Sequence, residues 1–231
     1  MNSIDRKLQQ NNLNSVLNHG QDIMDPEVKE LEEKLAHYCG VKHAVACSSS
    51  ADALLMALMS YGVGPGDAIF TTPFTDITAV SAIRFLGATP VFVDIDQSTF
   101  NLDPEQLEMA VDAVIRWDSS VYPLPGEESA GKLVAKGIIS VDLFGLPADY
   151  DAIHAIAGNH DLFVIEDGSQ AFGGVYKGRR VGSLADIGCI SFSPEAPLGS
   201  EGSGGMCFTD KDDLAERMRS IREQGGGKDG G

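Results

Sequence analysis

The stretch that decides the fold is FVIEDGSQAFGGVYKGRRVGSLADIGCISFSPEAPLGSEGSGG, which runs from Phe163 to Gly205. Its first apolar run, 163–165, ends in Glu166 and Asp167, and a second apolar run, 187–192, leads into a glycine-rich loop. Short apolar runs of this kind are typical of buried strands. Ligands of open α/β sheets gather beyond the carboxyl ends of the strands, so the stretch predicts a ligand site with Asp167 as its first candidate residue.

Strands and helices alternate along the whole chain around this stretch. Apolar runs bounded by turn residues predict strands at 43–47, 68–72, 90–93, 137–141, 162–165, 187–192 and 205–209. Helical spacing and Asp-Pro starts predict helices at 26–39, 51–61, 77–86, 104–114, 148–159 and 211–223. This alternation predicts an α/β fold in three layers, with a mostly parallel central sheet covered by helices on both faces.

The chain divides into three predicted segments. Residues 1–24 are expected to form an N-terminal arm or helix, residues 25–224 a large domain, and residues 225–231 a flexible glycine-rich tail. Within the large domain, the segment 117–136 is rich in proline, glycine and charge, and it is interpreted as an exposed insertion. A length of 231 residues leaves room for one large domain or two small ones.

Composition excludes several classes of function. The net charge of −17 argues against a nucleic-acid partner or an anionic membrane surface, because both need clustered Lys and Arg. The four cysteines lack CxxC spacing, so neither a metal site nor a disulfide framework is expected, and reduced thiols are the simpler interpretation. There is no signal peptide pattern and no long apolar run, so a cytoplasmic protein without a membrane span is expected.

A hydroxyl-rich turn, Ser48-Ser49-Ser50, lies between the first predicted strand and the helix that follows it. Such a junction presents unpaired backbone N–H groups at the positive end of the helix. From the turn alone, two interpretations stay open. Either Ser50 is an ordinary N-cap, or the turn is the binding site of a phosphate group.

Several stretches taken together resemble one known family. They are PEVKELEEKLAHYCGVKHAV, SSSADALLMAL, GVGPGDAIFTTPFTDITA, GATPVFVDID, VDLFGLPADYDAI, VIEDGSQAFGGVYKGRRVGS and DIGCISFSP. In order and spacing they resemble the sugar aminotransferases of the DegT/DnrJ/EryC1/StrS group, which use pyridoxal 5′-phosphate (PLP). The resemblance covers nearly all of residues 20–225 and implies fold type I, the aspartate-aminotransferase fold, with PLP bound by the large domain of a homodimer.

The narrower resemblance concerns the substrate. The runs TTPFTDITA and VDLFGLPADYDAI are most similar to enzymes that aminate a UDP-linked 3-keto N-acetylglucosaminuronic acid. This resemblance implies a nucleotide-linked keto-sugar as substrate, glutamate as amino donor, and a role in polysaccharide biosynthesis such as that of lipopolysaccharide O-antigen.

The resemblance also implies cofactor-binding roles for individual residues. Asp167 matches the aspartate that keeps the pyridine nitrogen of PLP protonated, so that the ring can accept electrons. Gln170 matches the residue beside the phenolic oxygen of the ring. Ser50 and Ala51 match the turn whose backbone amides hold the phosphate, and Ser191 matches a hydroxyl that also reaches it. With these matches, a phosphate site is favoured over a simple N-cap.

Five residues depart from the family pattern, and two of them have a direct chemical consequence. Ala196 stands where the family has the lysine that forms a Schiff base with PLP and transfers protons, so ordinary transamination should be lost or slowed by orders of magnitude. Asp76 stands where the family has an aromatic ring stacked on PLP, so the affinity for the cofactor should fall. Ser193, Glu201 and Ser203 also differ from the expected pattern. The sequence ends near Gly231, where family members continue into a C-terminal small domain, which is therefore expected to be absent.

Three hypotheses follow from these matches and departures. The first is a nucleotide-sugar aminotransferase whose present form is inactive because Ala196 replaces the lysine, and in which PLP binds without a covalent bond. The second is a non-catalytic homologue or engineered scaffold that keeps the fold and binds no cofactor. The third is a PLP dehydratase that uses a histidine in the lysine position, which Ala196 disfavours because the motif contains no histidine.

Overall fold

The computed structural model describes residue 14 and residues 26–125, 132–200 and 202–223. The arm predicted at 1–24, apart from residue 14, and the tail predicted at 225–231 therefore lie outside the described residues.

Helices and strands alternate through the described part of the chain. The helices are α1 (Pro26–Cys39), α2 (Ser50–Ser60), α3 (Thr78–Phe85), α4 (Pro104–Arg116), α5 (Tyr150–His160) and α6 (Asp212–Arg222), with a short 3₁₀ turn at Leu143–Gly145. The strands are β1 (His43–Cys47), β2 (Asp67–Thr71), β3 (Thr89–Phe92), β4 (Val134–Val141), β5 (Phe163–Asp167), β6 (Val175–Tyr176), β7 (Arg179–Arg180), β8 (Ile187–Ser191) and β9 (Gly205–Thr209).

A seven-stranded sheet organises the fold, in the order β1-β9-β8-β5-β4-β2-β3. Strands β3, β2, β4, β5 and β8 pair in parallel, whereas β9 runs antiparallel to both β8 and β1. The prediction of a mostly parallel sheet is confirmed. Because β9 reverses direction between β8 and β1, these two strands run the same way, and the carboxyl ends of all strands except β9 lie at one edge.

Side chains alternate along each strand, so two apolar layers form on opposite faces of the sheet. Phe70, Ile138 and Val164 belong to a cluster that includes residues of α4 and α5. Their chain neighbours Ile69, Ile139 and Ile165 belong to a second cluster with α2, α3 and α6. A smaller cluster joins α1 to the β1–β9 end of the sheet. This arrangement is the predicted α/β/α sandwich.

Short-range signals explain where the helices begin and end. Asp103 precedes Pro104 and caps α4 by accepting hydrogen bonds from the backbone N–H groups of Glu105 and Gln106. Asp149 caps α5 in the same way through Ala152 N. The first helix ends before Gly40, whose φ of +78° is a conformation that glycine adopts without strain.

Beyond shifts of one or two residues at element ends, the structure departs from the predicted elements in the segment 117–136 and at the hairpin after β5. Strand β4 begins at Val134 rather than at 137, inside the segment predicted as an exposed insertion. In that segment Tyr122 and Leu124 also pack against the core, so the prediction of an exposed insertion is wrong for these residues. The hairpin of β6 and β7 was not predicted, because strands of two residues carry no periodic signal.

Candidate functional site

One cavity lies at the carboxyl edge of the sheet and contains most of the residues singled out from the sequence. Its volume is about 570 Å³, and it is lined by Ser50, Asp76, Ser169, Gln170, Ser191, Ser193, Glu195, Ala196 and Pro197. The elements that supply them are separated by up to about 150 residues in the chain. The sheet topology therefore brings together the turn before α2, the loop after β2, the end of β5 and the loop after β8.

Asp167 is the last residue of β5, and only 5% of it is exposed. It is not among the lining residues and is linked to the cavity through Ser169. One carboxylate oxygen, Oδ1, accepts hydrogen bonds from Ser169 Oγ at 2.6 Å and from Ser169 N at 3.2 Å. Burial raises the pKa of Asp167, and the negative charge of Asp76 raises it further, while the two bonds from Ser169 oppose the shift. The carboxylate is thus poised for a positively charged partner, which would favour its ionised form.

Ser169 was not predicted as a site residue. It both lines the cavity and binds Asp167, so it connects the buried carboxylate to the ligand space. The Asp-Gly-Ser sequence after β5 was the available signal, because a serine two residues after an aspartate readily donates back to it.

In the turn before α2, the N-cap residue is not the one that the sequence suggested. Ser49, not Ser50, is the N-cap, and its Oγ accepts a hydrogen bond from Asp52 N at 3.1 Å. Ser50 is the first helical residue and lines the cavity. Ala51 is exposed on the first turn and is not among the lining residues. The interpretation of Ser50 as a cap is therefore wrong, and its hydroxyl stays available to a ligand.

Gly205 explains how the turn can approach the end of β9. A Cβ atom at Gly205 would lie 2.2 Å from the carbonyl oxygen of Ser49 and 3.0 Å from Ser50 N. Any side chain there would displace the start of α2. Glycine is therefore required at position 205 for steric reasons. The sequence prediction attributed the glycines of this loop to backbone flexibility alone.

The other predicted residues are held by local hydrogen bonds. Asp76 Oδ1 accepts from Thr78 N at 2.7 Å, so this carboxylate also stabilises the start of α3. Gln170 Oε1 accepts from Phe144 N at 3.3 Å. Ser191 Oγ accepts from Ser193 N at 3.2 Å, and Ala196 follows in the turn closed by its own N–H donating to Ser193 O at 2.9 Å.

Two buried carboxyl groups, those of Glu166 and Asp142, lie on the opposite face of the sheet from Asp167. Glu166 is fully buried and accepts hydrogen bonds from Gly182 N at 2.7 Å and Leu184 N at 2.9 Å. Asp142 accepts from Ala148 N and from Tyr150 Oη, both at 3.0 Å. Burial raises the pKa of Glu166 to about 7, and burial together with the charge of Glu166 raises the pKa of Asp142. Burial therefore favours the protonated form of both carboxyl groups.

The cavity offers groups that suit PLP without a covalent bond. The start of α2 and the hydroxyls of Ser50 and Ser191 suit a phosphate, and the buried carboxylate of Asp167 suits a protonated ring nitrogen. No lysine or arginine is among the described lining residues, so these supply neither an amine for a Schiff base nor a cation for the phosphate. Glu201 lies outside the described residues.

The described histidines lie away from the cavity. His43 Nε2 lies 2.8 Å from Asp212 Oδ1, and His154 Nε2 lies 2.7 Å from the carbonyl oxygen of Leu184. Neither these two nor the remaining described histidines, His37 and His160, line the cavity. The histidine-dependent dehydratase hypothesis therefore gains no support from the described part of the chain.

The mostly parallel seven-stranded sheet with its helices is the fold of the large domain of fold-type-I PLP aminotransferases. The chain belongs to the DegT/DnrJ/EryC1/StrS aminotransferase family, whose family model matches residues 3–230. A solved aminotransferase of this family from Brucella abortus is 41% identical, with a TM-score of 0.86 over 98% of this chain and 58% of its own.

Curated relatives point to nucleotide sugars. A UDP-2-acetamido-2-deoxy-3-oxo-D-glucuronate aminotransferase from Pseudomonas aeruginosa is 43% identical over 91% of this chain and 53% of its own length. A UDP-N-acetyl-3-dehydro-alpha-D-glucosamine 3-aminotransferase from Acidithiobacillus ferrooxidans is 38% identical over 92% of this chain and 52% of its own length. The chain thus spans about half the length of these relatives. Among the described helices, none has the length and apolar character needed to cross a membrane.

Proposed function

We propose that this chain is the cofactor-binding half of a PLP-dependent nucleotide-sugar aminotransferase, in a form that binds PLP without a covalent bond. The observation that carries the proposal is the cavity that unites Ser50, Gln170, Ser191 and Ala196, with the buried carboxylate of Asp167 hydrogen-bonded to Ser169 in its lining. When bound, PLP supplies an electron-accepting ring for amino-group transfer.

The residues of this chain would hold and orient that cofactor. The backbone N–H groups of Ser50 and Ala51 at the start of α2 would bind the phosphate, together with the hydroxyls of Ser50 and Ser191. Asp167 would hold the proton of the ring nitrogen, and Ser169 would keep the carboxylate in place. Gln170 would lie beside the phenolic oxygen.

The substrate by this proposal is a UDP-linked keto-sugar, with glutamate as the amino donor. The names of the curated relatives support a nucleotide-linked keto-sugar. Ala196 offers no titratable group, so amino transfer by this form is expected to be lost or slowed by orders of magnitude. A homodimer, a cytoplasmic location and a role in O-antigen biosynthesis stay predictions from the sequence resemblance.

Equilibrium dialysis of PLP tests the proposal. The unmodified chain should retain PLP, sodium borohydride should not fix it to the protein, and Asp167→Asn should weaken binding by about tenfold or more, since a charged hydrogen bond is lost. Asp112→Asn is the matched control. Asp112 forms an exposed ion pair with Arg116 on α4, and it does not line the cavity. If the unmodified chain failed to retain PLP, the second hypothesis, a non-catalytic homologue that binds no cofactor, would replace this one.

A further inference from the structure

Three phenylalanine rings form a cluster beside the cavity that the cofactor proposal does not use. Phe74, Phe100 and Phe144 have ring centroids 5.8 to 6.4 Å apart. Their exposed fractions are 45%, 43% and 71%, which is high for rings that contact one another. We call this cluster the aromatic rim. Isolated exposed apolar residues need no explanation, but a contiguous exposed aromatic group is a feature of binding surfaces.

The backbone beneath the aromatic rim is strained. Phe100 has φ = 62° and Phe144 has φ = 55°, in the left-handed region that bulky residues rarely adopt. Such conformations persist only where the surroundings enforce them, and they concentrate at ligand-binding sites. The rings of both strained residues belong to the same cluster. The unusual backbone conformations therefore place the two rings next to each other.

Asn101 provides the enforcement. This residue is 2% exposed, its Oδ1 accepts a hydrogen bond from Leu143 N at 2.9 Å, and its Nδ2 donates to the carbonyl oxygen of Leu146 at 2.8 Å. It follows Phe100 directly, and its two partners flank Phe144. One buried amide therefore locks the two ring-bearing loops together and fixes their relative position.

The aromatic rim is continuous with the cavity. The backbone N–H of Phe144 donates to Gln170 Oε1, and Gln170 lines the cavity. On the other side, Phe74 lies two residues before Asp76, which also lines it. A ligand that occupied the cavity and extended beyond its mouth on this side would meet the three rings.

We infer that the aromatic rim binds the nucleobase of the nucleotide-linked sugar, an inference that rests on the proposed function and adds a subsite to it. A nucleobase is a flat, neutral ring, and stacking on aromatic side chains is the interaction that suits it. The hydrogen bonds of Asn101 hold the two ring-bearing loops in place, so the rim loses little conformational freedom on binding. Stacking by phenylalanine reads no hydrogen-bond pattern, so the rim accepts uracil and other bases alike.

The test is a calorimetric titration of UDP-N-acetylglucosamine into the full chain and into Phe144→Gly. Glycine adopts a φ of 55° without strain and keeps the N–H that Gln170 accepts, so this variant should fold at least as stably as the unmodified chain. Its affinity should fall by about fivefold to a hundredfold, the range measured for loss of one stacked ring. The matched control is Phe85→Ala, since Phe85 is 79% exposed on α3 and takes no part in the rim; its affinity should be unchanged.

Two further measurements decide between explanations. N-acetylglucosamine 1-phosphate lacks the base, so it should bind more weakly than UDP-N-acetylglucosamine and should not distinguish Phe144→Gly from the unmodified chain. Sedimentation of both proteins should agree; a change in oligomeric state with unchanged nucleotide affinity would make the rim a contact between copies and overturn the inference. Equal nucleotide affinity of Phe144→Gly and the unmodified chain would overturn it as well.

PLP binding, measured separately on the same proteins, keeps the two proposals apart. Phe144→Gly should retain PLP as the unmodified chain does. If PLP bound but UDP-N-acetylglucosamine did not, the aromatic rim would lose its assigned ligand while the cofactor proposal stood. If UDP-N-acetylglucosamine bound with the predicted dependence on Phe144 and PLP did not, the cofactor proposal would fail and the nucleobase subsite would remain.

Discussion

Ser169 Oγ lies 2.6 Å from Asp167 Oδ1, and the backbone N–H of Ser169 donates to the same oxygen at 3.2 Å. Both bonds favour the ionised carboxylate, whereas burial and the charge of Asp76 favour the protonated one. The balance matters because a cationic ring nitrogen is stabilised by a carboxylate and not by a carboxylic acid. The charge of Asp76 therefore opposes the ionisation of Asp167. Under the proposed function, Asp76 would also leave the cofactor without a stacked aromatic ring.

Replacing Asp76 separates these two effects. Asp76→Asn removes the charge alone, so the pKa of Asp167 should fall and PLP binding, followed against pH, should begin at a lower pH. Asp76→Phe removes the charge and adds a ring, so its PLP affinity should also rise by about threefold to tenfold over that of Asp76→Asn. Loss of the bond to Thr78 N should cost Asp76→Phe about 1 kcal/mol of stability. Identical PLP binding by both variants and the unmodified chain would show that Asp76 does not face the cofactor.

Gly205 tests whether the turn before α2 binds the phosphate. Gly205→Ala would place a methyl group 2.2 Å from the carbonyl oxygen of Ser49, so the turn must shift, at a cost of about 1 to 3 kcal/mol in the free energy of unfolding. PLP binding should weaken with it, by an amount measurable in dialysis. Gly202→Ala is the matched control, because a Cβ there meets no atom within 4 Å. Unchanged PLP binding in a destabilised Gly205→Ala would place the phosphate elsewhere.

The buried pair Glu166 and Asp142 predicts how stability depends on pH. The folded-state pKa of Glu166, about 7, exceeds its ordinary value of 4.5, so between these values the folded chain holds more protons than the unfolded chain. The free energy of unfolding contributed by this pair should therefore be greatest below about pH 4.5 and fall as pH rises through 7.

Asp142→Asn checks this dependence by urea unfolding at a series of pH values. Asparagine keeps an oxygen for Ala148 N and Tyr150 Oη and can present a permanent donor to Glu166. The decline in stability between pH 4.5 and 7 should thus become shallower than in the unmodified chain. Parallel pH profiles for the two proteins would contradict an electrostatic interaction between Asp142 and Glu166. The exposed Asp112→Asn serves again as the control.

Sequence reasoning predicted those parts of the fold that rest on local signals. The runs around Ile165 and Ile190 are apolar because both faces of their strands are covered, and Pro26 and Asp103 mark helix starts through capping. The reversed direction of β9 was not predicted, because strand direction depends on the connection between strands and leaves no mark in the strand sequence.

Some of the site residues could likewise be predicted from the sequence, and others could not. The matches to a known family identified Asp167, Gln170, Ser50, Ser191 and Ala196, and the fold brings Gln170, Ser50, Ser191 and Ala196 to one cavity. The Glu166–Asp142 pair and the role of Asn101 could not be predicted, because Glu166 bonds to Gly182, 16 residues away, and Asn101 bonds to Leu143, 42 residues away. These groups meet only across neighbouring strands and loops. Long-range hydrogen bonds of this kind carry no periodicity.

The most direct test of the account restores the missing amine with Ala196→Lys. Ala196 lines the same cavity as Ser50 and Gln170, so a lysine there should reach the aldehyde carbon of PLP and bond to it. After addition of PLP and desalting, the absorption spectrum of Ala196→Lys should show a visible band, and borohydride should fix the cofactor to the protein. The unmodified chain should bind PLP in dialysis but yield no fixed cofactor. Reversible PLP binding by Ala196→Lys with no fixed cofactor would contradict the claim that residue 196 stands at the Schiff-base position of a PLP site.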